Sequence, residues 1–115
     1  MTSRAVDELV VLQPSGDILE GPACDDLEEE LFALAEQGRR VIVDLGRTRV
    51  LTAHCLGLLA RAQKLAAANG GGLALCNAAG LQRWLLELTG LSDVVPVYGS
   101  EGEALERFAG FSAVA

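Results

Sequence analysis

Histidine occurs once in this chain, at position 54, directly beside Cys55. A histidine and a cysteine are the parts of a nucleophilic pair, in which the imidazole takes the thiol proton and a third group orients the imidazole. The two must meet in space. Residues adjacent on a helix point about 100° apart, so this pair is badly placed, and His54 reads more simply as a surface or loop residue. A metal site needs three or four ligands. One histidine with Cys24, Cys55 and Cys76 scattered along the chain does not supply them. The cysteines are odd in number and lack a C-x-x-C pairing, which reads as reduced thiols packed as small hydrophobes.

The glycine run Gly70-Gly71-Gly72 is the other pattern with chemical potential. Phosphate-binding loops place glycines ahead of a helix N-terminus, where free backbone N–H groups meet the anion. These glycines follow a helical stretch instead, so they read as a turn. Neither G-x-x-x-x-G-K-S/T nor a G-x-G-x-x-G after a strand is present. No acid/base or nucleophile constellation converges, so no catalytic residue, metal or cofactor is expected.

Charge narrows the partners. The net charge is −7 at pH 7, which would repel nucleic acid and an anionic membrane surface. The charge is uneven along the chain. Asp17 to Glu36 holds eight acids and no Lys or Arg, whereas Arg39 to Lys64 holds six bases and one acid, Asp44. Solvated faces are the plain reading, and a bipolar docking surface is the functional one. No run of 18 apolar residues exists to span a membrane, and Met1 to Asp7 has no apolar signal-peptide core, so a cytoplasmic location is expected.

The elements that would position these residues follow from periodicity. With 115 residues and half of them hydrophobic, the chain suits a single domain, 1–115, with a core of its own. Leu9 to Leu12 reads as a strand ended by Pro14-Ser15-Gly16, and Asp17 to Leu19 as a second short one. Gly21-Pro22 opens a helix with Cys24, Leu27, Leu31, Leu34 and Ala35 on one face, stopped at Gly38. Val41 to Leu45 reads as a strand covered on both faces. Gly46 to Arg49 reads as a polar turn, with Val50-Leu51 returning to the sheet edge. Ala53 to Ala68 is helical, with Arg61 and Lys64 opposite the apolar face. Leu73 to Cys76 is a strand, and Leu81, Trp84, Leu85 and Leu88 mark an amphipathic helix closed by Gly90. Val94 to Val97 is expected as a last strand, Glu101 to Phe108 as a closing helix, and the tail from Gly110 as frayed. Alternating strands and helices predict an α/β fold with a mixed, mainly parallel sheet of roughly four to five strands and about four helices. Val43, Leu45, Leu59, Leu75, Leu85 and Leu88 are the expected core.

From Arg39 to Leu105, and at the front through Gly16-Asp17 and Gly21-Pro22, so over nearly the whole chain, this order of elements resembles the STAS domain family, of the anti-sigma factor antagonist type. The strings that carry the resemblance are Val41-Ile42-Val43-Asp44-Leu45, Thr52-Ala53-His54-Cys55-Leu56-Gly57, Gly70-Gly71-Gly72-Leu73 and Leu85-Leu86-Glu87-Leu88-Thr89-Gly90-Leu91. The resemblance implies a module that binds an anti-sigma factor that is also a serine kinase, and is released by phosphorylation in a D-S-S-G-L-G loop. A phosphate of about −2 charge at a helix N-terminus, facing acids on the partner, accounts for that release.

This chain departs from the family at that loop. Thr52 stands at the aspartate position, Ala53 at the phosphorylated serine, His54 at the second serine and Cys55 at the glycine; only Leu56 and Gly57 keep the pattern. Alanine has no hydroxyl, so the usual phosphoswitch cannot operate at Ala53. Thr52 has two readings, an N-cap of the following helix or a displaced phosphoacceptor. By position, the resemblance implies a partner site of Thr52, Ala53, His54, Cys55, Leu56 and Gly57 with Arg61 and Lys64 on the exposed helix face. The implied partner is an anti-sigma factor or related kinase-like protein. The alternative is an adaptor role on a lipid-transporter ATPase or in a sensory complex.

Overall fold

The computed structural model describes residues 1–114 in backbone, with side chains through Phe108. Seven strands and four α-helices follow in the order β1 (Thr2–Val6), β2 (Leu9–Gln13), β3 (Gly16–Leu19), α1 (Gly21–Glu36), β4 (Arg40–Asp44), β5 (Thr48–Leu51), α2 (Ala53–Ala68), β6 (Gly72–Cys76), α3 (Gly80–Leu88), β7 (Val97–Tyr98) and α4 (Glu101–Val114). A single 3₁₀ turn, Leu91–Asp93, precedes β7.

The main sheet has the order β1-β2-β4-β6-β7. β1 and β2 form an antiparallel hairpin, and every other pairing is parallel. This is the mixed, mainly parallel sheet that the alternation of elements predicts. Its apolar runs are continuous because both faces are covered. Val10, Leu12, Val41, Val43, Leu73 and Leu75 face α1, α2 and Leu86 of α3. Leu9, Val11, Ile42, Ala74 and Cys76 face the other way, toward Ala104 and Phe108 of α4. Val43, Leu45, Leu59 and Leu75 are buried as expected.

Several expectations change. β1 was not legible, since its residues are mostly exposed and polar; backbone pairing to β2 and an ion pair from Arg4 to Glu101 hold it. Thr48 to Leu51 is not a turn with a return to the main sheet. It is a strand that pairs with β3 in a separate two-stranded sheet, Leu19 opposite Leu51. The last strand is Val97–Tyr98 alone, because Leu91 to Val94 coils into the 3₁₀ turn. The closing helix continues to Val114 where fraying was expected from Gly110; Ala115 lies outside the described residues.

The largest correction concerns α3. Leu81, Trp84, Leu85 and Leu88 do form one stripe, but that stripe does not face the core. Leu81, Trp84 and Leu88 are 54%, 56% and 66% exposed, Leu85 is half-buried, and the residues turned inward are Gln82 and Leu86. The buried Gln82 sets this phase. Its Oε1 accepts the N–H of Ala79 at 2.7 Å, and its Nε2 donates to the Thr48 carbonyl of β5 at 2.7 Å. A buried amide bonded at both ends carries little penalty, and it ties the helix start to the small sheet.

The glycine run is a packing turn. A Cβ at Gly71 would collide with the backbone of Gly38 and Arg39, and one at Gly38, which sits at φ +67°, would collide with the Asn69 carbonyl. The turns after α1 and α2 therefore stack backbone on backbone, and only glycine permits that approach.

Candidate functional site

The parallel pairing of β3 and β5 brings the chain ends that follow them side by side. One leads into α1 and the other into α2, so both helix starts open on the same end of the molecule. Thr52 joins them. Its backbone is extended (φ −90°, ψ 163°), and its Oγ1 accepts the N–H of Cys55 at 3.2 Å, which makes it the N-cap of α2. The same hydroxyl donates to the Leu19 carbonyl at the end of β3.

The eight positions singled out from sequence do not form one patch. Helical geometry divides them. Cys55 is fully buried, together with Leu58, Leu59, Ala62 and Ala66. It lies beside Cys24 of α1, and burial, followed by the neighbouring Cys24, pushes its thiol up to about 12. A thiol so held stays protonated, and His54 lies exposed on another face. The nucleophilic pair is thereby excluded on geometry.

His54 and Arg61 turn toward α1. There Glu28 sits between them, 4.0 Å from His54 Nε2 and 3.5 Å from Arg61 Nη2. The histidine contact is an ion pair only when the imidazole is protonated. The Arg61 guanidinium also lies 6.0 Å above the ring of Phe32, within cation–π range. Arg61 thus already has Glu28 and the Phe32 ring beside it, while its side chain stays more than half exposed.

Leu56, Gly57 and Lys64 line the other side. Leu56 and Gly57 border a shallow groove with Ala60, Thr89, Gly90, Leu91 and Val94. Lys64 lines its continuation, which shares Ala60 and Val94 and adds Gln63 and Ala67. Ala53 is exposed at the helix start, and Ala60 is exposed two turns on. The outward crest of α2 is therefore low, small-residued and apolar, with Lys64 as its cation. Another chain could approach its backbone closely.

Glu28, Phe32, Ala60, Gln63 and Val94 adjoin these positions, and the sequence alone does not single them out. Glu28 looks like any acid of a solvated helix face, and Val94 was assigned to a strand. Only the tertiary arrangement brings them to α2.

Asp44, in one of the strings that carry the resemblance, does not join the site. It is buried at the end of β4 and accepts hydrogen bonds from Gly46 N at 2.8 Å, Asn77 Nδ2 at 3.1 Å and Gln13 Nε2 at 3.2 Å. Its work is to hold the turn after β4. Among the described residues no group of three or more His, Cys, Asp or Glu could hold a metal ion, and no helix is long and apolar enough to cross a membrane.

Comparison with known proteins places this geometry. Residues 1–96 match the STAS_2 family model, described as the Mlab, STAS domain. No curated protein sequence matches the chain. Among solved structures, an anti-sigma-factor antagonist (STAS) domain protein from Planctomyces limnophilus superposes with a TM-score of 0.83 at 22% identity, covering 94% of this chain and 97% of that one. The anti-sigma factor antagonist SpoIIAA in its unphosphorylated form gives 0.79 at 21% identity, covering 95% and 96%. A sulfate transporter family protein from Wolinella succinogenes gives 0.76 at 14% identity, covering 97% and 93%. These identities speak for the fold, and the family model speaks for the lineage: the chain belongs to the STAS domain family.

Proposed function

We propose that this STAS domain is a non-catalytic, partner-binding module of the anti-sigma factor antagonist type, and that it engages a kinase-like anti-sigma factor without the serine phosphoswitch. The observation that carries this reading is the crest of α2. Ala53, Gly57, Ala60 and Lys64 present a small-residued helix start beside an apolar groove, capped by Thr52. Residue 53 has no hydroxyl to phosphorylate. The hydroxyl at the neighbouring position, Thr52 Oγ1, accepts from Cys55 and donates to Leu19, and phosphorylation would remove the proton given to Leu19. Occupancy would then be set by partner availability, not by a covalent mark on this loop.

A second reading is an adaptor on a lipid-transporter ATPase or in a sensory complex, since proteins named as transporters also carry this fold. The STAS domain of a SulP transporter from Vibrio cholerae and the Wolinella protein share the fold with TM-scores of 0.68 and 0.76. Titration calorimetry against each candidate separates the two: a histidine-kinase-like ATPase for the first and a transporter ATPase subunit for the second. Leu56→Asp, which puts a charge at the groove, should abolish binding to the true partner. Intact mass after incubation with that kinase and ATP should show no added phosphate. A stoichiometric phosphate on Thr52 would overturn the switchless reading, and unchanged binding by Leu56→Asp would move the site off the crest.

A further inference from the structure

Strand β1 is the edge of the main sheet, paired to β2 on one side and to no described strand on the other. Its outer edge therefore turns a row of backbone N–H and C=O groups to solvent, a template for another strand. Proteins usually guard such edges with charge or proline. Here the one charged residue of β1, Arg4, turns to Glu101 of α4, and the strand has no proline. Directly opposed residues share a face of the sheet, so Ser3 lies beside Leu12 and Ala5 beside Val10. Helix α1 covers Leu12 and Val10 but stops short of β1, where Ser3 and Ala5 are exposed.

The gap between β1 and α1 is an open groove of about 590 Å³. Met1 lines it from the strand side, and Asp26, Glu29, Glu30, Ala33, Leu34 and Gln37 line it from the helix. At about 100° per residue, Asp26, Glu30 and Gln37 fall within about 40° of one another. They lie on the flank of α1 roughly opposite Glu28 and Phe32, which meet Arg61 of α2. Asp26, Glu29 and Glu30 make no ion pair with any described residue, and no Lys or Arg lines the groove. An open strand edge and an unneutralised acidic wall thus run side by side.

The charge says what fits there. Two β1 edges paired about a two-fold axis would bring both acidic walls onto one face of a joined sheet, and the side chains of Met1, Ser3 and Ala5 bring no base to offset them. A second copy is therefore disfavoured, and a basic strand is the electrostatic complement. A strand that pairs with β1 sends alternate side chains to the α1 side, so lysine or arginine at every second position would come within reach of Asp26 and Glu30. We propose that β1 and this flank of α1 form a second docking surface, separate from the crest of α2, which takes up an extended basic segment of another protein by strand addition. Backbone bonds to β1 supply the affinity, and the acidic wall selects the alternation of the bases.

Two synthetic peptides of equal composition and charge test this. One has lysine and threonine in strict alternation, and the other has the same residues as a lysine block and a threonine block. By fluorescence anisotropy at low salt, the alternating peptide should bind severalfold more tightly than the block peptide. Hydrogen exchange followed by NMR should show the outward-facing amides of β1 slowing when the alternating peptide is bound. Asp26 and Glu30 are exposed, so Asp26→Lys and Glu30→Lys should fold, and each should weaken binding about fivefold. Glu106→Lys makes the same charge change on the exposed side of α4 and should leave affinity within about twofold. Equal binding of the two peptides, or unchanged exchange along β1, would reduce the effect to bulk charge and overturn the proposal. So would binding by neither peptide up to about 1 mM. A doubled mass with the outward amides of β1 already slow in the peptide-free protein would overturn it as well, since a second copy would then hold the edge.

Discussion

Helices α2 and α3 both carry an apolar stripe at helical spacing, and they use it in opposite ways. In α2 the stripe of Cys55, Leu58, Leu59, Ala62 and Ala66 is buried, and the outward crest is small and lightly charged. In α3 the large apolar residues look outward, while the buried side rests on Gln82 and Leu86. Periodicity reveals that a stripe exists and which residues share it. It does not reveal which side faces the protein, because a stripe covered by the core and a stripe covered by another molecule have the same spacing. In α3 the decision belongs to a polar residue. Gln82 reaches Thr48 and Ala79 with both ends of its amide, and turning the helix to bury Trp84 would forfeit those bonds and expose Leu86.

The sharpest way to break this comparison is to truncate one leucine on each side of α3. Leu86 is fully buried within the main core cluster, so Leu86→Ala should cost about 2–5 kcal/mol by urea denaturation. Leu88→Ala should stay within about 0.5 kcal/mol. Equal losses at the two positions would return the helix to the inward-facing phase that the spacing alone suggests.

The buried thiols sharpen the α2 side. Burial pushes both Cys55 and Cys76 up to about 12 from an ordinary 9.0, with Cys24 adding to the first and Asp44 to the second. The folded state therefore keeps its thiol protons in a range where the unfolded chain has released them. Their contribution to stability is full below pH 9 and is lost as pH rises toward 12. The denaturation midpoint should fall across that window, and Cys55→Ala should make the fall shallower. A midpoint that falls equally in wild type and variant would mean that Cys55 ionises freely and is not sealed between α1 and α2.

The cap gives a smaller effect. Thr52→Ala removes an acceptor for Cys55 N–H and a donor to the Leu19 carbonyl, and should cost about 1 kcal/mol, within the usual 0.5–2 for a lost N-cap. Thr52→Ser should restore most of it, because the hydroxyl is what serves. A loss of partner binding in Thr52→Ala that Thr52→Ser does not restore would point to a role for the methyl group, outside capping.

These contrasts also explain what could be read from the chain alone. The central strands were legible because Val41 to Leu45 and Leu73 to Cys76 are covered on both faces and so are apolar without interruption. The cap at Thr52 was legible because it depends on residues three apart. β1 was not, since an exposed hairpin strand owes its place to backbone bonds that any side chain can accompany. Nor was the split of the site, since Glu28 meets His54 and Arg61 only through the packing of α1 against α2. Local order is written in neighbouring residues; the facing of a helix and the pairing of surface charges depend on what the fold sets opposite them.

Arg61 offers the finest test, because its two roles predict different outcomes for its neighbour. The guanidinium is held by Glu28 and by the face of Phe32, yet it remains more than half exposed. An exposed pair contributes little to stability, so Arg61→Glu should shift the denaturation midpoint by no more than about 0.5 kcal/mol even though it sets two carboxylates together. Partner affinity should fall by about 1 kcal/mol, roughly fivefold, with a greater loss at low salt. Glu28→Gln then distinguishes the roles. If Arg61 reaches a carboxylate of the partner, releasing it from Glu28 should leave binding intact or tighten it. If Arg61 serves only to fix α1 against α2, Glu28→Gln should weaken binding as Arg61→Glu does. Full affinity in both variants would take the cation out of the site and leave recognition to the apolar groove between Leu56 and Val94.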